Sequence, residues 1–251
     1  MTAEQAFVEL PMPVFTDPRR VSTDLHHHLR RLIIDSRLPA GSVLKQAQLA
    51  RVFGVSRTPM REAFRMLQEK GLIDTETNQR ARVRDLDPNE LDQLYGVRIA
   101  LESLAARITA GRISDEEANE ARAALSAMDD AMARSDMDGW VNAHRQFHRL
   151  CVARANEPLL RVINSYSERS ERYLRLYQMW HPQSFSIAHD EHEAILQAVI
   201  DGDSLDAGSR MAHHLAKTSL TVLHDVSADS AGKAIREALA MASTPVAQPE
   251  A

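Results

Sequence analysis

The chain has 251 residues, 44% of them hydrophobic and 26% charged, with a formal net charge of −5. Those proportions suit a soluble protein with one large or two modest packed domains. The single cysteine, Cys151, excludes an intrachain disulfide, and no apolar run reaches the roughly 18 residues of a membrane span. Residues 1–16 carry Glu4 and Glu9 but no basic residue, so no secretory leader is expected and a cytoplasmic location is. The charge is unevenly spread. Residues 17–86 hold 14 Arg/Lys and 8 Asp/Glu, a net of +6, whereas residues 87–251 hold 16 and 25, a net of −9. A basic first third on an acidic remainder points to a polyanion-binding module joined to something else.

In chain order, residues 1–17 lack periodicity, contain Pro11 and Pro13, and read as a flexible arm. Leu25, Leu29, Leu32 and Ile33 recur at helical spacing up to Ser36, and Pro39 and Gly41 then break the chain. A short helix is predicted over 46–53, closed by Gly54. Ser56 can cap the next helix, Pro59 fits in its first turn, and Gly71 ends it. Residues 72–75 and 81–85 read as two strands joined by a polar turn. Beyond Pro88 the pattern is helical throughout, with six helices predicted near 89–110, 114–134, 137–155, 157–180, 186–201 and 204–225. Breaks fall at Gly111, Ser135–Asp136, Asn156–Pro158, His181–Pro182 and Gly202. The last 25 residues are rich in Ala, Ser and Pro; a short helix near 230–241 can form before a disordered end.

The expected fold is therefore mainly α: an N-terminal winged helix-turn-helix with a small β-wing, then an all-α antiparallel bundle. The domains are an arm at 1–17, a winged helix-turn-helix at 18–86, an all-helical domain at 87–228 and a partly disordered tail at 229–251.

Two short helices joined through Gly54-Val55-Ser56 have helix-turn-helix spacing, with the second as recognition helix. Arg57 and Arg61 lie one turn apart on one face, flanked by Thr58 and Arg65, while Ala63, Phe64 and Leu67 form the inward stripe. Arginine at that position can reach guanine in the major groove or bind phosphate. Arg80, Arg82 and Arg84 on the wing are available to backbone or minor groove. A solvated face would explain one arginine pair, but not the order helix, short helix, glycine turn, basic helix and basic hairpin.

Here the sequence resembles a known family. LARVFGVSRTPMREAFRMLQEKGLI, Leu49 to Ile73, and the upstream IIDSRLPAGSVL, Ile33 to Leu44, are similar to GntR-type regulators. The resemblance implies operator contacts from Arg57, Thr58 and Arg61. Two departures are Ala47, where many members carry a polar or charged residue, and the wing tip Asn78-Gln79-Arg80, which lacks a glycine often found there.

The second domain places its histidines unevenly. His144 and His148 share a face with Trp140, Phe147 and Cys151; His192 aligns with Ala188, Ile195, Leu196 and Val199; His214 aligns with Met211, Leu215, Thr218 and Val222. Three helices thus aim imidazoles into one core. An unsatisfied buried polar group costs about 1–3 kcal/mol, so each ring needs a partner. A shared divalent metal, Zn²⁺ or Ni²⁺, would serve all four; a core histidine bonded to a carbonyl is the alternative for each alone. His213 faces away, and the consecutive His26, His27 and His28 read as surface or phosphate contacts.

LYGVRIALESLAARIT, HRQFHRLCVARANEPLL, DEHEAILQAVIDGD and AGSRMAHHL (from Leu94, His144, Asp190 and Ala207) resemble the ligand-binding FCD domain of the FadR-type subfamily. The resemblance implies a metal held at the positions of His144, His148, His192 and His214, with His144 where Asp is more usual, and a carboxylate ligand on the open metal position. Arg98 is a candidate clamp for a small carboxylic-acid effector, or else the ion-pair partner of Glu102 one turn on. Arg172 and Tyr173 are further candidates for the pocket wall. The reading is a non-enzymatic regulator, a homodimer on double-stranded operator DNA and a repressor in the commoner case, whose effector shifts the placement of its DNA-binding heads. A metal sensor, with the ion itself as effector, is the alternative. A hydrolase is disfavoured because Glu191 and Glu193, beside His192, should point off its face.

Overall fold

The computed structural model describes residues 10–15, 17, 19–35, 37–69, 71–76, 80–181 and 184–243. The chain divides into two compact units, Met1–Leu86 and Asp87–Ala251.

In the first unit, α1 (Val21–Ile34) buries Leu25, Leu29, Leu32 and Ile33, the stripe its spacing predicts. α2 (Gln46–Val52) and α3 (Arg57–Glu69) follow, separated by Gly54 at φ +65°, a left-handed conformation that suits a residue without Cβ. β2 (Ile73–Glu76) and β3 (Arg80–Val83) form the wing hairpin. A third strand, β1 (Val43–Lys45), was not anticipated; it pairs antiparallel with β3, Leu44 opposite Ala81, giving the order β1-β3-β2. β3 alternates, with Ala81 and Val83 buried and Arg80 and Arg82 exposed. One core joins Leu25, Leu29, Leu44, Leu49, Phe53, Met60, Phe64, Leu67 and Ile73.

Among the described residues the second unit has seven helices: α4 (Pro88–Thr109), α5 (Asp115–Ala133), α6 (Met137–Cys151), α7 (Glu157–Trp180), α8 (Ser184–Asp201), α9 (Ser204–Val226) and α10 (Lys233–Ser243). Their starts follow local chemistry. Asp87, Asp136, Asn156 and Asp203 each accept a backbone N–H as caps, and Ser114 with Glu117 forms a capping box. α4 is buried on most of its circumference and packs against α7, α9 and α10.

α10 is the seventh helix, lying where the sequence suggested only a possible short one within a loose tail. Ile235 and Ala238 are buried. Asp92 on α4 accepts the backbone N–H of Ala234 at 3.0 Å and of Ile235 at 3.0 Å, so it caps α10 from a distant part of the chain. Beneath it lies Gly96, where an added Cβ would come within 2.9 Å of the Ala234 Cβ. Valine is a better helix former than glycine, so a loss of stability at this position reports on α10 alone. Gly96→Val is expected to destabilise the unit by about 1–3 kcal/mol through overpacking, read as a lower urea midpoint. An unchanged midpoint would mean that α10 does not rest on α4.

Candidate nucleic-acid interface and metal centre

α3 buries Met60, Ala63, Phe64 and Leu67 and so turns Arg57, Thr58, Arg61 and Arg65 to the surface. Arg65 is engaged along the helix by Glu62 at 3.1 Å and by Glu69. Such exposed pairs are weak and exchange readily for a phosphate. On the wing, Arg82 donates to the Gly41 carbonyl at 2.8 Å and Arg84 to Asp74 at 2.9 Å, while Arg80 is exposed. Asn78 and Gln79 lie outside the described residues, and Ala47 is exposed on α2.

The histidines on α1 differ from expectation. His26 is buried, and His28 is half-buried, its ring 2.8 Å from the Pro11 carbonyl and edge-on to Phe53. Burial lowers the His28 pKa, the opposite of what a phosphate contact would favour. Only His27 of the three is exposed.

In the second unit, α6, α8 and α9 bring His144, His148, His192 and His214 together, all buried, with one ligand atom from each within 4.8 Å of the others. Trp140 stacks on His144 at 4.6 Å between centroids, and Phe147 meets the His192 ring edge-on at 4.9 Å. This apolar collar holds the rings close. The His148 Nε2 and the His192 Nε2 have no hydrogen-bond partner. Buried nitrogens of that kind are costly unless something bonds them, and a borderline-soft divalent ion suits four imidazoles. The residues present therefore fit a metal.

Two carboxylates approach from outside the cluster. Glu102 Oε2 lies 3.3 Å from His148 Nδ1, and Glu191 Oε2 lies 2.8 Å from His214 Nδ1, with Lys217 paired to the same Glu191. Carboxylates in such positions orient metal-binding imidazoles. Glu191 points off the His192 face of α8, as its spacing predicts, and its reach carries it across to His214 on α9, a contact the spacing did not foretell. Glu102 resists ionisation through burial, but Arg98 and His148 outweigh this and hold its pKa at about 2. Arg98 donates to Glu102 at 2.7 Å and to Ser170 at 3.0 Å, and lies over the Tyr95 ring. The ion pair with Glu102, one of its two expected roles, is thus formed.

Arg172 and Tyr173 are buried, but away from the histidines. Arg172 donates to Glu90 at 3.0 Å and to the Tyr173 hydroxyl at 2.8 Å, which ties α7 to the start of α4. The small cavity beside Arg98, His144 and His148 is walled instead by Val141, Arg145, Ser167, Glu171 and Leu174. Its volume is about 20 Å³, room for about one water and no organic acid. On the other side, His192 and Trp140 border a cleft of about 400 Å³.

Burial, together with the neighbouring rings, lowers the pKa of His144 and His192 well below 6.5, and burial lowers that of His148. The unfolded chain then binds more protons than the folded one below that value, so stability falls with decreasing pH. The metal-free protein is expected to lose stability as pH falls below about 6.5, whereas a His148→Gln/His192→Gln variant should show a shallower slope. Thermal melts from pH 8 to 5 check this.

A basic recognition helix and wing, followed by a separate helical unit, define a two-unit DNA-binding regulator. Comparison with known proteins agrees. The family model for bacterial regulatory proteins of the gntR family matches residues 22–83, and that for the FCD domain matches residues 93–217. A probable D-xylose utilization operon transcriptional repressor from Paenarthrobacter nicotinovorans is 31% identical, across 80% of this chain and 90% of that protein. The Nta operon transcriptional regulator of Aminobacter aminovorans is 30% identical, across 70% and 82%. Escherichia coli McbR/YncC has the same fold, with a TM-score of 0.66 at 21% identity over 82% of this chain and 97% of that one. The chain belongs to the GntR family and carries an FCD domain. It is a DNA-binding transcriptional regulator rather than an enzyme. None of its described helices is long and apolar enough to cross a membrane.

Proposed function

We propose that this protein is a cytoplasmic, homodimeric repressor that is released from its operator when a small organic acid binds to a divalent metal, Zn²⁺ or Ni²⁺, in the FCD domain. The observation that carries the reading is the buried tetrad of His144, His148, His192 and His214, with unpartnered nitrogens and carboxylates behind two of the rings. Two relatives regulate operons by name, one as a probable repressor. Arg57, Thr58 and Arg61 read bases, and Arg65, Arg80 and Arg82 secure the backbone. A bound ion would offer the acid a Lewis-acidic position. The chain itself supplies the dry collar and the fixed ring orientations through Glu102 and Glu191. The effector changes operator affinity only if it binds the two states unequally.

Elemental analysis and thermal melts with acids, with and without Zn²⁺, test the reading. One ion per chain is expected, with acid-induced stabilisation that needs the metal. Stabilisation by metal with no response to any acid would favour the ion as effector. That alternative is supported by the pairing of Arg98 with Glu102 and the water-sized cavity beside it.

A further inference from the structure

From the groove beside the start of α3, we infer that the DNA backbone is gripped at a second place, outside the reading helix, with Arg19 as its phosphate anchor and Phe15 in its wall. The inference rests on the reading above, in which α3 reads bases, and extends that surface onto the chain ahead of α1. Residues 10–15 lie against the first unit. Leu10 is part of its core, Pro13 is buried, and the half-buried His28 ring donates to the Pro11 carbonyl at 2.8 Å. Burial keeps that ring neutral, with an N–H to give. Just beyond this anchorage, Phe15 and Arg19 border a groove of about 660 Å³, whose lining continues through Val55, Ser56, Thr58 and Pro59.

Two independent observations point to duplex DNA as the occupant. The first is continuity. Thr58 belongs both to the groove and to the outer face of α3. At 3.6 residues per turn, Arg65 and Thr58 lie on one side of the Arg57–Arg61 row, so a strand running off that row on this side enters the groove. The second is charge. Arg19 is exposed, and among the described residues no carboxylate pairs with its guanidinium; Asp17 takes only its backbone N–H, at 2.8 Å. Glu62 also borders the groove, but it is turned to Arg65 at 3.1 Å. The hydroxyls of Ser56 and Thr58 are exposed at the same place. Guanidinium and hydroxyl groups are the usual partners of phosphate and sugar, which fix register without reading sequence. The apolar walls, Phe15, Val55 and Pro59, suit the deoxyribose edges between the phosphates.

The full-length protein is titrated with a duplex selected from random sequence and with a scrambled duplex of equal length, at low salt and at about four times that salt. One phosphate contact accounts for about 0.9 of the slope of log affinity against log salt. Arg19→Ala is therefore expected to bind both duplexes more weakly than the unaltered protein, by a factor that shrinks about three- to fourfold between the two salt concentrations. Arg19→Lys should keep most of the slope. Phe15→Glu, which sets a carboxylate in the groove wall, should weaken both duplexes as well. Both side chains are exposed, so neither change empties the core. The preferred sequence should stay the same in all three variants, whereas Arg57→Ala alters it. An unchanged affinity and slope for Arg19→Ala, or a loss confined to the selected duplex, would overturn the inference and leave α3 as the reading element. A lowered slope in a protein that prefers no duplex over another would support the anchor and overturn the reading by α3.

Discussion

Arg57→Ala and Arg61→Ala are each expected to weaken operator binding by at least about tenfold, and the double variant to leave only salt-sensitive, sequence-blind attraction to DNA. The expectation follows from how α3 is anchored. Met60, Ala63, Phe64 and Leu67 are locked into the core, which fixes the helix rotation and leaves Arg57, Thr58 and Arg61 on the outer face. A bidentate contact from arginine to guanine is worth about 1–3 kcal/mol of discrimination, and alanine at an exposed helix position does not cost stability. Arg65→Ala should relax sequence discrimination much less, because a contact to the phosphate backbone carries no base information. The operator can be selected from random duplexes with the unaltered protein and then measured by footprinting at two salt concentrations. Full protection by both single variants would remove α3 as the reading element.

The second large effect is expected at the tetrad. His148→Ala and His192→Ala should each lower metal content from about one ion per chain and abolish the thermal shift on adding Zn²⁺. Metal at about 1,000 times its dissociation constant stabilises by about 4 kcal/mol, and that increment vanishes with the site. Truncating a buried ring also leaves a cavity, so the decisive quantity is the metal-dependent part of the melt, not its absolute position. His144→Asp should keep the ion, since a carboxylate is an equally good oxygen ligand and restores a negative charge. An unaltered protein that takes up no divalent ion after dialysis against Zn²⁺ or Ni²⁺ would dispose of the site.

Much of this arrangement was readable from residue order. Helix limits followed glycines, prolines and caps, and the inward placement of all four histidines followed 3.6-residue spacing, because both signals are local. What escaped depended on pieces meeting across the chain. β1 is three residues long and has no alternation of its own; it exists because β3 offers it a free edge. The contact of Glu191 with His214 depends on how α8 and α9 are placed, which periodicity along one helix cannot give. Arg172 and Tyr173 lie on a long helix with several neighbours, and spacing alone did not tell which neighbour they meet. His28 left a clue that went unused: it stands three residues after Leu25 and four before Leu32, on the stripe that enters the core.

The grip of Asp92 on the start of α10 also sets where the gene can be cut. A shortened version ending near residue 228 would strip a lid from the α4 helix, leave a carboxylate facing no amide, and bare a greasy strip beside Gly96. Such a fragment would clump during purification, whereas a reporter or affinity tag attached after Ser243 would leave that seam closed.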